Sequence, residues 1–367
     1  MRVDVVDSAG AFDALEKEWD EAALANLDPN VFLTWGWLRT WWRHFGEAAG
    51  DARLHLLVVR DDEGIAALAP LYEATSRVGP LRSTTLRQVG YDAGDYGGIL
   101  LVRRPEESVT LLLDHLADRL RGDVGSVVLS RLASDSVALE QLRSGLAGND
   151  RLAAAEVVPP DAVCPFIDVS DGYDLVKPLR KNRVPQRLRR MSERHEVVFT
   201  NHSGPTLEQG ITWLTELHER RWADRADEFQ GLLADAASEA FLADAIRALD
   251  TAGWLRLMTV TADGRPIAIR LDFEYAGRIY MLKNAIDPDF NEFGPGHITH
   301  ARVLEEGMAR GVTEFDFLRG DHPYKRRWAN GERHLVALTL SRPGLAGELA
   351  RQRSRVTGRL ARTRSGH

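Results

Sequence analysis

The sequence predicts an α/β (α+β) fold made of two similar domains, each with a central mixed sheet flanked by helices, and three observations carry that prediction. The chain has 367 residues, about twice a usual domain of roughly 100 to 200 residues. A strand-turn-strand pattern occurs at 54–72 around Asp61-Asp62-Glu63-Gly64 and recurs at 254–275 around Ala262-Asp263-Gly264, the alternation and turn residues of a hairpin. A strand at 278–284, a loop, a helix at 297–310 and a strand at 313–318 then give a βαβ order. The expected divisions are 1–160, 161–342 and a tail at 343–367.

Taken in order, 2–6 reads as a strand, and Phe12, Leu15 and Trp19 mark an amphipathic helix. Four of the nine tryptophans fall within 32–45, at positions 35, 37, 41 and 42. Phe32, Trp35 or Trp37, Leu38, Trp41 or Trp42 and Phe45 fall three to four apart, which predicts a helix wedged into the core, with Thr34 as N-cap and Trp37 as a candidate substrate-lining ring. The two strands of the first hairpin are expected at 54–59 and 65–72. Further strands follow at 86–90, 98–102 and 126–130, with helices at 105–121 and 134–144. The second half opens on a basic helix broken by Pro178 and Pro185 and continues with helices at 207–223 and 236–252. The second hairpin and the βαβ unit follow.

Composition removes several classes. Hydrophobic residues make up 44% and charged residues 28%, which is ordinary for a folded chain and not for a disordered, collagenous or disulfide-scaffold protein. A single cysteine, Cys164, allows no internal disulfide and suits a reducing compartment, so a cytoplasmic protein is expected. No apolar run is long enough for a membrane span or a leader. The net charge of −7 is unevenly spread. Between 177 and 195, Lys177, Arg180, Lys181, Arg183, Arg187, Arg189, Arg190 and Arg194 face one acid, Glu193, for +7; from Arg342 onward seven arginines face Glu348, for +6. The remainder is an acidic body of −20, so the total says little about partners.

The chemistry concentrates late in the chain. Asn291-Glu292-Phe293-Gly294-Pro295-Gly296-His297 joins a strand to a helix. Two glycines around a φ-fixing proline let backbone approach a ligand, and the helix start behind them favours a pyrophosphate-sized anion. Then Arg319, Asp321, His322, Tyr324, Lys325, Arg326 and Arg327 crowd into nine residues at the C-terminal edge of the sheet, where open α/β sheets bind ligands. Arg319 and Lys325 suit phosphate or carboxylate. Asp316 and Asp321 are candidate bases or amine-orienting groups, and Asp321 would also cap the helix at Pro323. Asp272, in an alternating strand with Arg270 and Glu274, faces either the cleft or solvent. His297 and His300 are three apart without a third ligand, so no metal is expected.

The run from Phe315 to Trp328 resembles the Phe-Asp-Phe-Leu-Arg-Gly-Asp-x-Pro-Tyr-Lys signature of the GNAT-like acyltransferases of the CelD/BcsL, cellulose-biosynthesis-associated group. Phe32-Leu33-Thr34-Trp35-Gly36-Trp37-Leu38-Arg39-Thr40-Trp41-Trp42 and Leu179-Arg180-Lys181-Asn182 are similar to it as well. The resemblance implies a tandem GNAT (acyl-CoA N-acyltransferase) fold, related to Fem-type aminoacyl-tRNA-dependent transferases. Asn291, Gly294 and Gly296 take the spacing of the GNAT coenzyme A loop, Gln/Arg-x-x-Gly-x-Gly/Ala, with Asn in its first place. Tyr324 resembles the GNAT tyrosine that acts as general acid.

Acetyl-CoA or another acyl-CoA is therefore the expected donor, held at Asn291, Gly294, Gly296, His297 and Lys325 by the C-terminal copy, with Tyr324, Asp321 and Asp316 as the catalytic set. An amine of a small metabolite or sugar is the expected acceptor, with Arg319, Asp272 and Trp37 as contacts. The N-terminal copy is expected to be structural or acceptor-binding, and the protein a monomer or homodimer. The two basic segments keep open an aminoacyl-tRNA donor, bound through the stretch from Lys177 to Arg194 and the tail. A non-catalytic module for an anionic ligand is the remaining reading, and a closed loop at 294–296 would favour it.

Overall fold

A computed structural model describes residues 1–78, 81–159, 161–170, 172–222, 233 and 235–344. The basic tail lies almost wholly outside the described residues. Two compact units emerge: Met1–Ala162 with the chain from His334 onward, and Val163–Arg333.

The first unit runs β1 (Arg2–Val6), α1 (Ala9–Asp13), α2 (Glu16–Leu24), α3 (Trp35–Trp41), β2 (Arg53–Leu54), β3 (Leu56–Asp61), β4 (Gly64–Ala69), β5 (Leu71–Val78), β6 (Leu81–Gln88), β7 (Leu100–Leu101), α4 (Pro105–Arg121), β8 (Val124–Ala133), α5 (Val137–Ala147) and β9 (Ala153–Val157). One antiparallel sheet has the order β1-β3-β4-β7. The strand expected at 65–72 divides at Pro70, where the missing amide hydrogen ends the ladder. Its second part, β5, pairs β2 and β6 in another sheet, in which β6 runs parallel to β8. Buried Leu112, Leu113, Leu116 and Leu120 of α4 pack into this unit's apolar core.

In α3, Trp37 and Trp41 enter the core, whereas Trp35 is half-buried. Trp37 is wholly buried, its ring edge-on to Phe32 at 5.1 Å. Thr34 stands at the N-cap, but its hydroxyl donates to Val31 O (2.7 Å), and Asp20 accepts the Trp35 amide instead (2.9 Å). A cavity of about 820 Å³ opens in this unit beside His55, Glu73, His115 and Arg119. The two imidazole Nε2 atoms stand 3.1 Å apart. Burial holds His55 down to about 4 and lowers His115 as well.

The second unit runs β10 (Val163–Asp168), α6 (Val176–Lys181), α7 (Val184–Ser192), β11 (Val197–His202), α8 (Leu207–Trp222), α9 (Ala236–Thr251), β12 (Leu255–Ala262), β13 (Arg265–Tyr275), β14 (Arg278–Ile286), α10 (Pro295–Ala309), β15 (Glu314–Asp316) and α11 (Pro323–Arg326). Its sheet order is β11-β12-β13-β14-β15-β10, antiparallel except where β14 meets β15. The recurring hairpin is β12-β13, closed by Asp263 and Gly264, both at positive φ, as a tight hairpin turn requires. α10 is the crossover between the parallel pair and buries Ile298, Ala301, Val303 and Leu304.

The last strand, β16 (Gly331–Ser341), departs from expectation. From Leu335 onward it pairs antiparallel with β8 and β9 of the first unit, so His334 and the residues after it belong there and not with the second domain. Each unit thus contains one parallel strand pair bridged by a helix, β6-α4-β8 and β14-α10-β15. Among the described residues, no helix is long and apolar enough to cross a membrane.

Candidate active site

β14 and β15 pair for only three residues, Arg278, Ile279 and Tyr280 against Glu314, Phe315 and Asp316. Beyond that point they part. β14 continues along β13 to Ile286, whereas Phe317 N–H and Gly320 N–H turn to Pro165 O and Val163 O, each at 3.0 Å. A bulge in the β13-β14 ladder at Leu271/Asp272 lies beside this parting. An opening between two parallel strands exposes backbone groups to a ligand at the C-terminal edge of the sheet.

α10 begins where β14 ends. Gly294 is its N-cap, in the left-handed region at φ 61°, and Pro295 is its first residue. The first unit has the same geometry at α4, but there Arg104 (φ 45°) precedes Pro105, so a side chain stands where Gly294 has none. The loop is tighter than an open phosphate cradle. Gly294 N–H goes to Asn291 O and His297 N–H to Gly294 O, each at 3.0 Å, and Pro295 has no amide hydrogen. Asn291 is exposed and supplies this backbone carbonyl. Gly296 is unobstructed: a Cβ there would meet only Ile286 Cγ2, at 3.7 Å.

The basic segment packs on this loop. It forms two short helices, α6 and α7, parted at Asn182 and Arg183 (φ 54°). The Arg187 guanidinium lies over Gly294 and would collide with any Cβ there. Arg190 donates to Glu292 O, and the guanidinium groups of Arg190 and Arg194 sit 5.2 and 5.7 Å from the Phe293 ring centre. Both also pair with the Glu292 carboxylate, at 3.5 and 3.6 Å. Half-buried His297 has its pKa lowered by burial first and then by Arg187 and Arg327. A cationic collar thus surrounds the start of α10.

The signature run is largely a self-supporting loop, which corrects two expectations. Asp316, expected as a base, is 1% exposed; it accepts the Leu318 amide (2.7 Å) and pairs with Arg333 (3.1 Å). Lys325, expected on the donor's phosphate, is 4% exposed and donates to Leu318 O (3.0 Å) and Arg319 O (2.6 Å). Together they hold Leu318 at φ 58° and Gly320 at φ 102°, and a leucine in that region needs such support. Asp321 is exposed and paired with Arg326, whose hydrogen bond holds its carboxyl below the usual range, a setting for a charged orienting group rather than a proton acceptor. Arg319 is half-buried on the same loop. Tyr324 is 38% exposed on the first turn of α11, stacked on His322 (6.0 Å, 15°) and edge-on to Phe317 (6.5 Å, 83°).

Asp272 belongs to a buried network that sequence reasoning caught only in part. It is wholly buried and takes Arg270 Nε on both oxygens, at 2.8 and 2.7 Å. Burial, opposed by Arg270, leaves its carboxyl pushed up to about 6. Asp272 is therefore closed to a substrate and acts on Arg270, which in turn contacts His300 Nδ1 on α10. The signal for this network was the run of charged residues two apart, Arg270, Asp272 and Glu274, on one face of a strand. Trp37, in the first unit's core, is not among the residues gathered here. Among the described residues, no group of three His, Cys, Asp or Glu is placed to hold a metal.

Residues 179–326 match the family model of the acetyltransferase (GNAT) domain, which spans the collar, the loop, the parallel pair and Tyr324. No curated protein matches the chain. Among solved structures, FemX superposes with a TM-score of 0.62 at 11% identity, covering 92% of this chain and 97% of that one. The C-terminal domain of a putative lysylphosphatidylglycerol synthetase from Agrobacterium fabrum gives 0.56 at 10% identity, covering 95% and 96%. A conserved protein of unknown function from Bacteroides thetaiotaomicron gives 0.55 at 11% identity, covering 92% and 100%. At such identities the likeness is one of fold. Residues 179–326 are thus similar to the GNAT acetyltransferase domain, on a fold that the chain shares with FemX over most of its length.

Proposed function

We propose that the protein transfers an acyl group, acetyl in the simplest case, from a coenzyme A thioester to an amine of a small metabolite or sugar. The parting of β14 from β15 beside the glycine start of α10 carries this reading. The thioester would lie between the parted strands and the phosphates at the helix N-terminus, once Arg187 has moved from Gly294. Arg187 shifts off Gly294 to meet the pyrophosphate, as a flexible side chain can, and Arg327 adds charge. The amine nitrogen attacks the thioester carbon, forming C–N and breaking C–S. The acceptor ammonium gives one proton to water before the attack and a second after it; the departing thiolate takes the Tyr324 hydroxyl proton, and the tyrosinate regains a proton from water. Asp321, ionised and exposed, draws the cationic acceptor, and Arg319 meets an acceptor carboxylate where there is one.

A second reading, with aminoacyl-tRNA as donor, is favoured by one feature: two loop amides are engaged within the turn and arginines of α7 crowd the same end. A polyanion would use that collar without entering the loop.

Calorimetric titration with acetyl-CoA, CoA and tRNA separates the two. Gly296→Trp places an indole in the loop at a position where the backbone accepts a side chain. The first reading expects both CoA ligands to bind and this variant to lose them. Salt-sensitive tRNA binding with no heat from either CoA ligand would reject it.

A further inference from the structure

His300 carries a hydrogen-bond donor that the protein itself leaves unmatched. It lies on the second turn of α10, 5% exposed, its ring 4.4 Å from Trp328 at 77° and 4.9 Å from Phe317. Arg270 Nη1 meets its Nδ1. A guanidinium only donates, so Nδ1 accepts and the ring proton sits on Nε2. Nε2 is buried and meets no partner among the described residues, a rare and costly state for an N–H group. Burial, then Arg270 and His297, holds the imidazole pKa well below 6.5, so the neutral ring persists at physiological pH. Arg270 is itself fixed by both oxygens of Asp272. The chain Asp272-Arg270-His300 therefore sets the tautomer as well as the ring's position.

The donor's place gives it a use. His300 touches Arg270 on β13 and Phe317, which follows β15. β14 lies between those strands in the sheet, so the imidazole stands over β14 where it leaves β15. His297, one turn earlier, repeats the pattern: Trp328 Nε1 donates to its Nδ1 at 3.2 Å, which again leaves the proton on Nε2.

We propose that His300 Nε2–H donates to the carbonyl oxygen of the acyl group being transferred, making His300 a catalytic residue of this acyltransferase. The proposal rests on the acyl-CoA reading above. As the amine adds to the thioester carbon, the C=O electron pair moves onto oxygen. The oxyanion is held by Nε2–H without taking its proton, and the pair returns as the thiolate leaves. A neutral imidazole fixed in advance suits this task, because its dipole need not reorganise as charge develops.

The test uses ¹⁵N-histidine-labelled protein with acetyl-CoA and CoA, which differ by the acetyl group, methyl and carbonyl, in place of the thiol hydrogen. The His300 signals are expected to show hydrogen on Nε2 and none on Nδ1 from pH 6 to 9, and the Nε2–H line should move with acetyl-CoA but not with CoA. In His300→Asn the side-chain oxygen keeps an acceptor for Arg270 near the place of Nδ1 but the Nε2 donor is gone. Any tighter binding of acetyl-CoA over CoA should vanish in that variant, while CoA affinity stays. A proton on Nδ1, or the same response to both ligands, overturns the proposal and leaves the acyl-CoA reading standing. Failure of the unaltered protein to bind either ligand removes both. If His300→Asn does not fold, the labelled unaltered protein still decides.

Discussion

Tyr324→Phe is expected to lower acyl transfer by about 10²- to 10⁴-fold, the usual worth of a positioned general acid, with little change in folding stability. The reason for the separation is its setting. The ring is 38% exposed and held by stacking on His322 and an edge contact with Phe317, and phenylalanine keeps both contacts. Only the hydroxyl is lost, and with it the proton for the leaving thiolate. Turnover would be followed as thiol released from acetyl-CoA in the presence of an amine acceptor. Unchanged turnover would take Tyr324 out of the mechanism and leave the thiolate to be protonated by solvent.

Arg270→Met should destabilise the protein by about 3 to 5 kcal/mol at neutral pH, the usual cost of leaving one member of a buried ion pair alone. Arg270 is 3% exposed and Asp272 fully buried. The cost must depend on pH, because the carboxyl of Asp272 is already pushed up to about 6 with its partner present and rises further without it. A folded-state pKa above the unfolded value gives stability that is complete below about 3.9 and lost as pH rises through the folded value. The variant should therefore lie closest to the parent in acid and fall away toward pH 8. The double change Arg270→Met, Asp272→Leu removes both charges and should regain most of the loss. Urea unfolding at pH 5 and pH 8 measures this; equal costs at both values would contradict the burial of Asp272 as charged partner.

Much of this architecture was legible because it is written in local patterns. The turn around Asp263-Gly264, the βαβ order and the glycines before α10 all depend on neighbours in sequence, and each appears in the structure near its expected place. What was not legible depends on residues that meet only after folding. The division at Pro70 sends one apolar run into two sheets, and the pairing of β16 with β8 and β9 is a choice among distant strands. The site shows the same limit. Asp316 and Lys325 have the chemistry of a base and a phosphate ligand, yet both support a loop whose left-handed Leu318 no spacing rule announces. His300 was visible only as one of two histidines three apart. Its meaning comes from Arg270, thirty positions earlier, which decides where its proton sits. In the charge run from Lys177 to Arg194, the application of Arg187, Arg190 and Arg194 to the loop at 292–294 likewise depends on residues about a hundred positions away.

The claim on which the rest depends is that an acyl donor seats at the start of α10. Amide hydrogen exchange with and without acetyl-CoA tests it most directly. Slowed exchange is expected across 291–300 and 281–286, with no such change in Gly296→Trp. Protection by acetyl-CoA confined to the first unit, or none in the presence of saturating ligand, would contradict it.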